Sequence, residues 1–226
     1  MIRPGEPWGS PTSSAPDAEV AGGDAALALA VAPRRGLLIR FVPDATSDVA
    51  RAVGLQPGRV GPPAGTELPM DALSVADPAG ARDGPSALAC NMCILGTPPD
   101  RLRWSSPSFG LEIDLDGRSW FSGPATTVVV AIGQFLRGLD LVPRGHPGDG
   151  KAEVQLYELT RRERRLMRSR LTRGSHLPHP RIRSRTGARV EIRATRPVPV
   201  EIDGATRAPR ARTVLEVVPG AYRLLI

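Results

Sequence analysis

Apolar and polar residues alternate most cleanly in the last third of the chain. Residues 188–194, 198–202, 213–218 and 221–226 each place apolar side chains at every second position, as half-buried strands do. Pro, Gly and Asp-Gly corners separate these runs, the spacing expected of an antiparallel β-sandwich. Residues 152–157 alternate in the same way behind the corner Pro147-Gly148-Asp149-Gly150, and residues 125–132 form a β-branched run. Asp116-Gly117 lies between two alternating segments and predicts a tight hairpin. A helical pattern begins at Thr160, where Thr as N-cap and Glu163 three residues on make a capping box. That helix runs to about residue 173 and stops at Gly174, with Leu159, Leu166, Met167 and Leu171 as a thin apolar stripe.

The first third reads differently. Residues 1–17 are rich in Pro, Ser and Gly and predict an unstructured lead-in. An Ala/Leu helix over residues 25–32 is followed by a strand over 36–42 and a short helix that starts at about residue 49, with Ser47 as N-cap and Gly54 just past its end. Residues 54–85 are again rich in Pro and Gly, with Met70-Asp71-Ala72-Leu73 as an ordered island. The division expected is therefore a lead-in (1–17), a partial α/β domain (18–75) and a sandwich domain (76–226).

Composition narrows the function without fixing it. A chain of 226 residues can bury a core, and its 24 Gly and 24 Pro favour turns and short strands over long helices. The net charge of +7 is carried almost wholly by arginine, Lys151 being the one lysine. Ten arginines against one acid fall between Arg161 and Arg185, which keeps nucleotide, anionic lipid and nucleic acid open as partners. No aromatic residues interleave with them to stack on bases, which ranks a membrane surface above nucleic acid. The 25–32 run is too short to span a bilayer, there is no export signal, and a cytoplasmic protein is expected. Cys90-Asn91-Met92-Cys93 could pair with His176 and His179 around zinc, but two buried thiols in a strand is the simpler expectation.

The order of these motifs resembles the diacylglycerol kinase family of lipid kinases, which includes bacterial enzymes and the sphingosine kinases. The resemblance rests on a PxDGxxxV-type corner at Pro147–Gly150, an Asp-Gly turn at Asp203-Gly204, and a closing Val217-Val218-Pro219-Gly220-Ala221-Tyr222-Arg223. It extends to two degraded loops near the start. Gly22, Gly23 and Asp24 match the family's GGDGT loop, with Ala25 and Ala26 replacing its closing Gly-Thr. Asp48, Ala50, Arg51, Gly54 and Leu55 match the GTGND loop and its helix, with Asp44, Ala45, Thr46 and Ser47 altered.

The fold implied is an α/β remnant of a nucleotide-binding kinase domain followed by an antiparallel β-sandwich. The implied reaction is magnesium-dependent transfer of the ATP γ-phosphoryl to a lipid hydroxyl. Asp203 falls on the family's catalytic base, in a motif whose glutamate is Ala205 here. Gly22, Gly23, Asp24, Ala25, Thr46 and Asp48 fall on the phosphate-binding loops, and Asp149 on an acidic position beside a structural magnesium site. A plain turn at Asp149 or Asp203 would look the same. A Cβ at residue 25 and a carboxylate at residue 44 oppose a polyphosphate. Weak or lost transfer is therefore expected. A non-catalytic module that binds lipid or a partner, and a basic nucleic-acid binder, stand as alternatives.

Overall fold

A computed structural model describes residues 7–59, 65–76 and 87–226. The chain order is β1 (Ser10–Thr12), β2 (Ala18–Gly22), α1 (Asp24–Val31), β3 (Leu38–Pro43), α2 (Asp48–Val53), β4 (Gly65–Ala76), β5 (Ala87–Ala89) and β6 (Met92–Gly96). A 3-10 turn at Pro99–Arg101 leads to β7 (Phe109–Leu115), β8 (Arg118–Ala125), β9 (Thr127–Ala131), β10 (Phe135–Leu136) and β11 (Leu139–Asp140). The rest is β12 (Ala152–Tyr157), α3 (Arg161–Thr172), β13 (Ile182–Gly187), β14 (Arg189–Ile202) and β15 (Ala205–Leu225). The architecture is mostly antiparallel sheet with few helices, as the sandwich reading implies.

Hydrogen bonding links thirteen of these strands continuously along the backbone order β1-β4-β15-β14-β6-β9-β12-β13, with β2, β3, β5, β7 and β8 branching from it. The long β14 makes this possible. Its first half pairs with β7 and its second half with β6, and its register against β15 shifts around Val198. Pro197 and Pro199 fall at that shift, where the ladder is already broken and their missing N–H groups cost little. Two strands were expected over residues 188–202, and two more over 213–226. Each pair is one continuous strand, because bulges absorb the corner residues without ending the pairing.

The α/β part keeps its expected alternation. β2 and β3 are parallel, and β3 is parallel in turn to the last residues of β15. Ser47 caps α2 by accepting from the Ala50 N–H, and Gly54 ends it at φ 77°. The boundary expected after residue 75 falls at the end of β4, but β15 runs beside β4, β14 and β3, so both parts share it. The lead-in corrects the reading of residues 7–17 as unstructured. β1 pairs with β4, and the Trp8 indole donates to the Pro69 carbonyl and meets the His146 ring edge-on. Residues 1–6 of that lead-in, and 60–64 and 77–86 of the turn-rich stretch, lie outside the described residues.

Three apolar clusters hold the molecule. One fills the sandwich, from Leu73 and Cys93 through Ile113, Val130 and Val154 to Ile202. A second lies under α1, with Leu27, Phe41, Met70, Cys90 and Tyr222. The third packs α3 on the outer face of β6, β9 and β12 through Met92, Val129, Tyr157, Met167 and Leu171. Leu166 was expected in the α3 stripe, yet it faces solvent. Arg164 is buried in its place, its guanidinium donating to the carbonyls of Leu159 and Ser106 and to Ser108 Oγ. Those carbonyls need a donor that leucine cannot supply. Among the described residues no helix is long and apolar enough to cross a membrane.

Candidate functional site

Where the α/β part meets the sandwich a cleft of about 460 Å³ opens between the β2–α1 loop, the β3–α2 loop, the β5–β6 bend and the β14–β15 turn. Gly23, Asp24, Ala25, Thr46, Asp48 and Asp203 all line it, so residues far apart in the chain and chosen from sequence converge. Gly22 sits one residue behind the wall, at φ 127°.

Asp203 occupies the first position of a two-residue turn, with φ 47° at Asp203 and 78° at Gly204. The turn and the acid are the same feature, since left-handed backbone at both residues suits Asp-Gly. The carboxylate accepts from three successive backbone N–H groups of the β5–β6 bend: Cys90 at 2.6 Å, Asn91 at 3.0 Å and Met92 at 2.9 Å. Such a bend is a small anion nest, filled here by the protein's own side chain. Burial, and then the nearby charge of Asp24, push the Asp203 carboxyl up to about 7 despite those bonds.

Asp24 opens α1 but caps a different helix. Its oxygens accept from the Ser47 hydroxyl at 2.6 Å and from the Asp48 and Val49 N–H groups at the start of α2. Burial pushes its carboxyl up to about 6. Asp48 passes the chain of contacts onward, accepting from the backbone N–H groups of Arg137 and Gly138, the turn between β10 and β11. The Arg137 guanidinium then forks onto Asp100 at 2.8 Å through two nitrogens and reaches Glu201 at 2.6 Å. Arg101, on the cleft wall, completes the network through Glu201 at 3.3 Å. These charges neutralise one another, and the two carboxylates hold Arg137 above its ordinary range against the cost of burial.

Sequence reasoning read Asn91 only as part of a buried strand and missed Arg137, Asp100 and Glu201. One signal was available: Arg137-Gly138, a turn pair between short apolar runs. Asn91 also crowds residue 133, which is a glycine. A Cβ on Gly133 would lie 2.1 Å from Asn91 Oδ1, and the Asn91 side chain donates to the Phe135 carbonyl. An asparagine at 91 thus occupies the space in front of residue 133.

The phosphate cradle fits its implied ligand poorly. Asp44 accepts from the Thr46 N–H and hydroxyl, which folds its carboxylate over Gly23. A Cβ on Gly23 would lie 2.9 Å from Thr46 Oγ1 and 3.5 and 3.6 Å from the Asp44 oxygens. The approach to this loop therefore carries an exposed carboxylate held by Thr46, and Ala25 lines the same wall.

Asp149 stands apart from the cleft, closing a local turn by accepting from the Lys151 N–H at 3.0 Å. Its acidic neighbour is Asp71, which is buried and accepts from Gly150 at 2.7 Å and Gly220 at 2.9 Å, tying the corner at 147–150 to β15. Among the described residues no three His, Cys, Asp or Glu side chains are grouped to hold a metal ion. Cys90 and Cys93 are both buried, in different clusters, and burial pushes the Cys93 thiol up to about 12. His176 meets the Leu141 carbonyl and His179 faces Glu163, so neither is turned to the thiols.

Comparison with known proteins gives a consistent set. Residues 101–226, more than half of the chain, match the family model described as the YegS C-terminal NAD kinase beta sandwich-like domain. No curated protein gives a significant match. The fold is similar to a putative diacylglycerol kinase from Bacillus anthracis str. Sterne, at TM-score 0.72 and 14% identity, covering 92% of this chain and 76% of that one. A second structure of a putative diacylglycerol kinase from the same organism gives 0.70 and 15%, covering 92% and 78%. Yeast NADH kinase complexed with NADH is similar at 0.53 and 13%, covering 92% and 61%.

Proposed function

This chain belongs to the lipid-kinase-like family marked by the YegS C-terminal NAD kinase beta sandwich-like domain, and from that premise we propose a pseudokinase: a diacylglycerol kinase-like protein in which ATP-dependent phosphorylation of a lipid hydroxyl is weak or lost. The family's fold includes nucleotide-using enzymes, so a nucleotide is the ligand class to test in the cleft. One observation carries the reading. The Asp44 carboxylate, pinned by Thr46, lies over Gly23 where the loop would have to admit phosphate.

The rest of the machinery is less altered. A carboxylate near 7 is well poised as a general base, and Asp203 opens onto the cleft from a rigid turn. Positioning of the donor, however, carries most of phosphoryl-transfer catalysis, and a base alone cannot replace it. Among the described residues no three His, Cys, Asp or Glu side chains are grouped to hold a metal ion, so no step is assigned to magnesium.

The test is transfer of labelled γ-phosphate from Mg-ATP to a mixed lipid extract by wild type, Asp203→Asn and the double variant Asp44→Gly/Thr46→Gly. Wild type is expected to label lipid no more than Asp203→Asn does, and ATP to leave its melting temperature unchanged. The double variant should gain a nucleotide-dependent rise in melting temperature, because ligand binding to the native state alone adds stability. Repeated turnover of lipid by wild type, with labelling that disappears in Asp203→Asn, would overturn the proposal.

A further inference from the structure

The outer side of α3 carries a feature that the cleft does not use. Among the described residues three large apolar side chains are exposed, and two of them belong to this region: Trp104, 60% exposed, and Leu166, 40% exposed. Trp104 follows the 3-10 turn, three residues beyond the cleft residue Arg101, and that turn packs against α3. The Arg161 guanidinium sits 5.8 Å from the centre of the Trp104 ring, within cation–π range. Arg162 and Arg165 join these two in lining a shallow hollow of about 480 Å³.

The arginines of this helix divide sharply. Arg164 is buried and fully engaged by hydrogen bonds, so it is part of the framework. The side chains of Arg162 and Arg165 are exposed and make no ion pair or hydrogen bond with another described residue. Several surface arginines elsewhere meet acids: Arg183 meets Glu158, Arg193 meets Asp114, and Arg212 meets Glu191. Here the one acid of the helix, Glu163, is turned to its own cap and to Arg181. An unpaired cationic row beside an exposed tryptophan combines two features of membrane-interface contacts: indole favours the headgroup level, and arginine is drawn to anionic lipid.

We propose that this face of α3 and the Trp104 loop is a docking surface for an anionic lipid bilayer. Trp104 and Leu166 would enter the headgroup region while Arg161, Arg162 and Arg165 face lipid phosphates. The 3-10 turn would then hold the cleft close to the bilayer. The surface does not depend on whether the cleft transfers phosphoryl, and its test does not measure transfer.

The full chain is mixed with vesicles of phosphatidylcholine alone or of phosphatidylcholine with phosphatidylglycerol, and co-sedimentation and tryptophan emission are followed. Binding is expected with the anionic vesicles only, with a blue shift that Trp104→Phe removes although Trp8 and Trp120 remain. Arg162→Gln/Arg165→Gln should keep the wild-type melting temperature and bind roughly 30-fold more weakly. Added salt should weaken binding of the wild type, with no variant required. Equal binding to neutral vesicles, a Trp104→Phe protein whose emission shifts as before, or duplex DNA bound in preference to anionic vesicles would each overturn the proposal.

Discussion

Asp203 and Asp24 show how much of an acid's character comes from what surrounds it. Both carboxyls are pushed above their ordinary range chiefly by burial, to about 7 and about 6. The native protein therefore holds protons that the unfolded chain releases at lower pH. For Asp203 the favourable contribution is complete below the unfolded carboxyl range and is lost as pH rises toward 7. Wild type should accordingly exceed Asp203→Asn in stability by more at about pH 4.5 than at about pH 8. Denaturant midpoints of the two proteins at both values would measure this, and a gap that widens with pH would sink it. A constant loss of about 1–3 kcal/mol should underlie the trend, because an amide cannot accept all three N–H bonds of the nest. At this scale the acids were legible and their partners were not. The Asp-Gly turn announces Asp203, but nothing local says that its carboxylate will fill a bend more than a hundred residues upstream. Arg137 is a plainer case, since a lone arginine in a turn gives no sign of the two acids that will enclose it.

Helix α3 shows which parts of an element a sequence determines. Its start was legible because a capping box is a local device, and Thr160 and Glu163 do bond each other's backbone N–H groups. Its buried face was misread because hydrophobic patterning counts apolar residues and ignores orphaned carbonyls. Leu166 fits an apolar stripe, but Arg164 lies toward Leu159 and Ser106, whose carbonyls accept from its guanidinium. Two substitutions separate the effects. Thr160→Ala removes one cap and should cost about 1 kcal/mol. Arg164→Ala strands two carbonyl groups and should cost more, about 2–4 kcal/mol. Urea unfolding of both would check the order. Equal losses would mean that the guanidinium bonds add little over solvent. The long strands β14 and β15 carry a parallel lesson. Pro197 and Gly220 read as breaks between strands, yet each falls within a shift in register, where pairing resumes on the far side.

On the scale of the molecule, the stretch that matches the family begins at residue 101, but the sheet does not. β6, residues Met92–Gly96, is hydrogen-bonded between β14 and β9 at the centre of the strand order, and all five of its residues are buried. It also leads out of the bend that receives Asp203. A fragment of residues 101–226 would therefore expose two facing strand edges and lose Cys93 and Leu95 from the sandwich core. Starting at residue 87 restores β6 and the nest. The shorter fragment is expected to unfold without a cooperative urea transition, while the longer one regains a transition, though below that of the full chain because β15 still lacks β3 and β4. Dispersed amide resonances in the longer fragment alone would give the same answer independently. A cooperative transition in residues 101–226 would mean that the sandwich closes without its central strand, and that the ring of contacts from Asp24 through Asp48 and Arg137 to Glu201 serves the cleft rather than the fold. The sequence could not mark this dependence. A five-residue apolar strand looks the same at the edge of a sheet as at its centre, and only the pairing of β14 with both β6 and β7 places it in the middle.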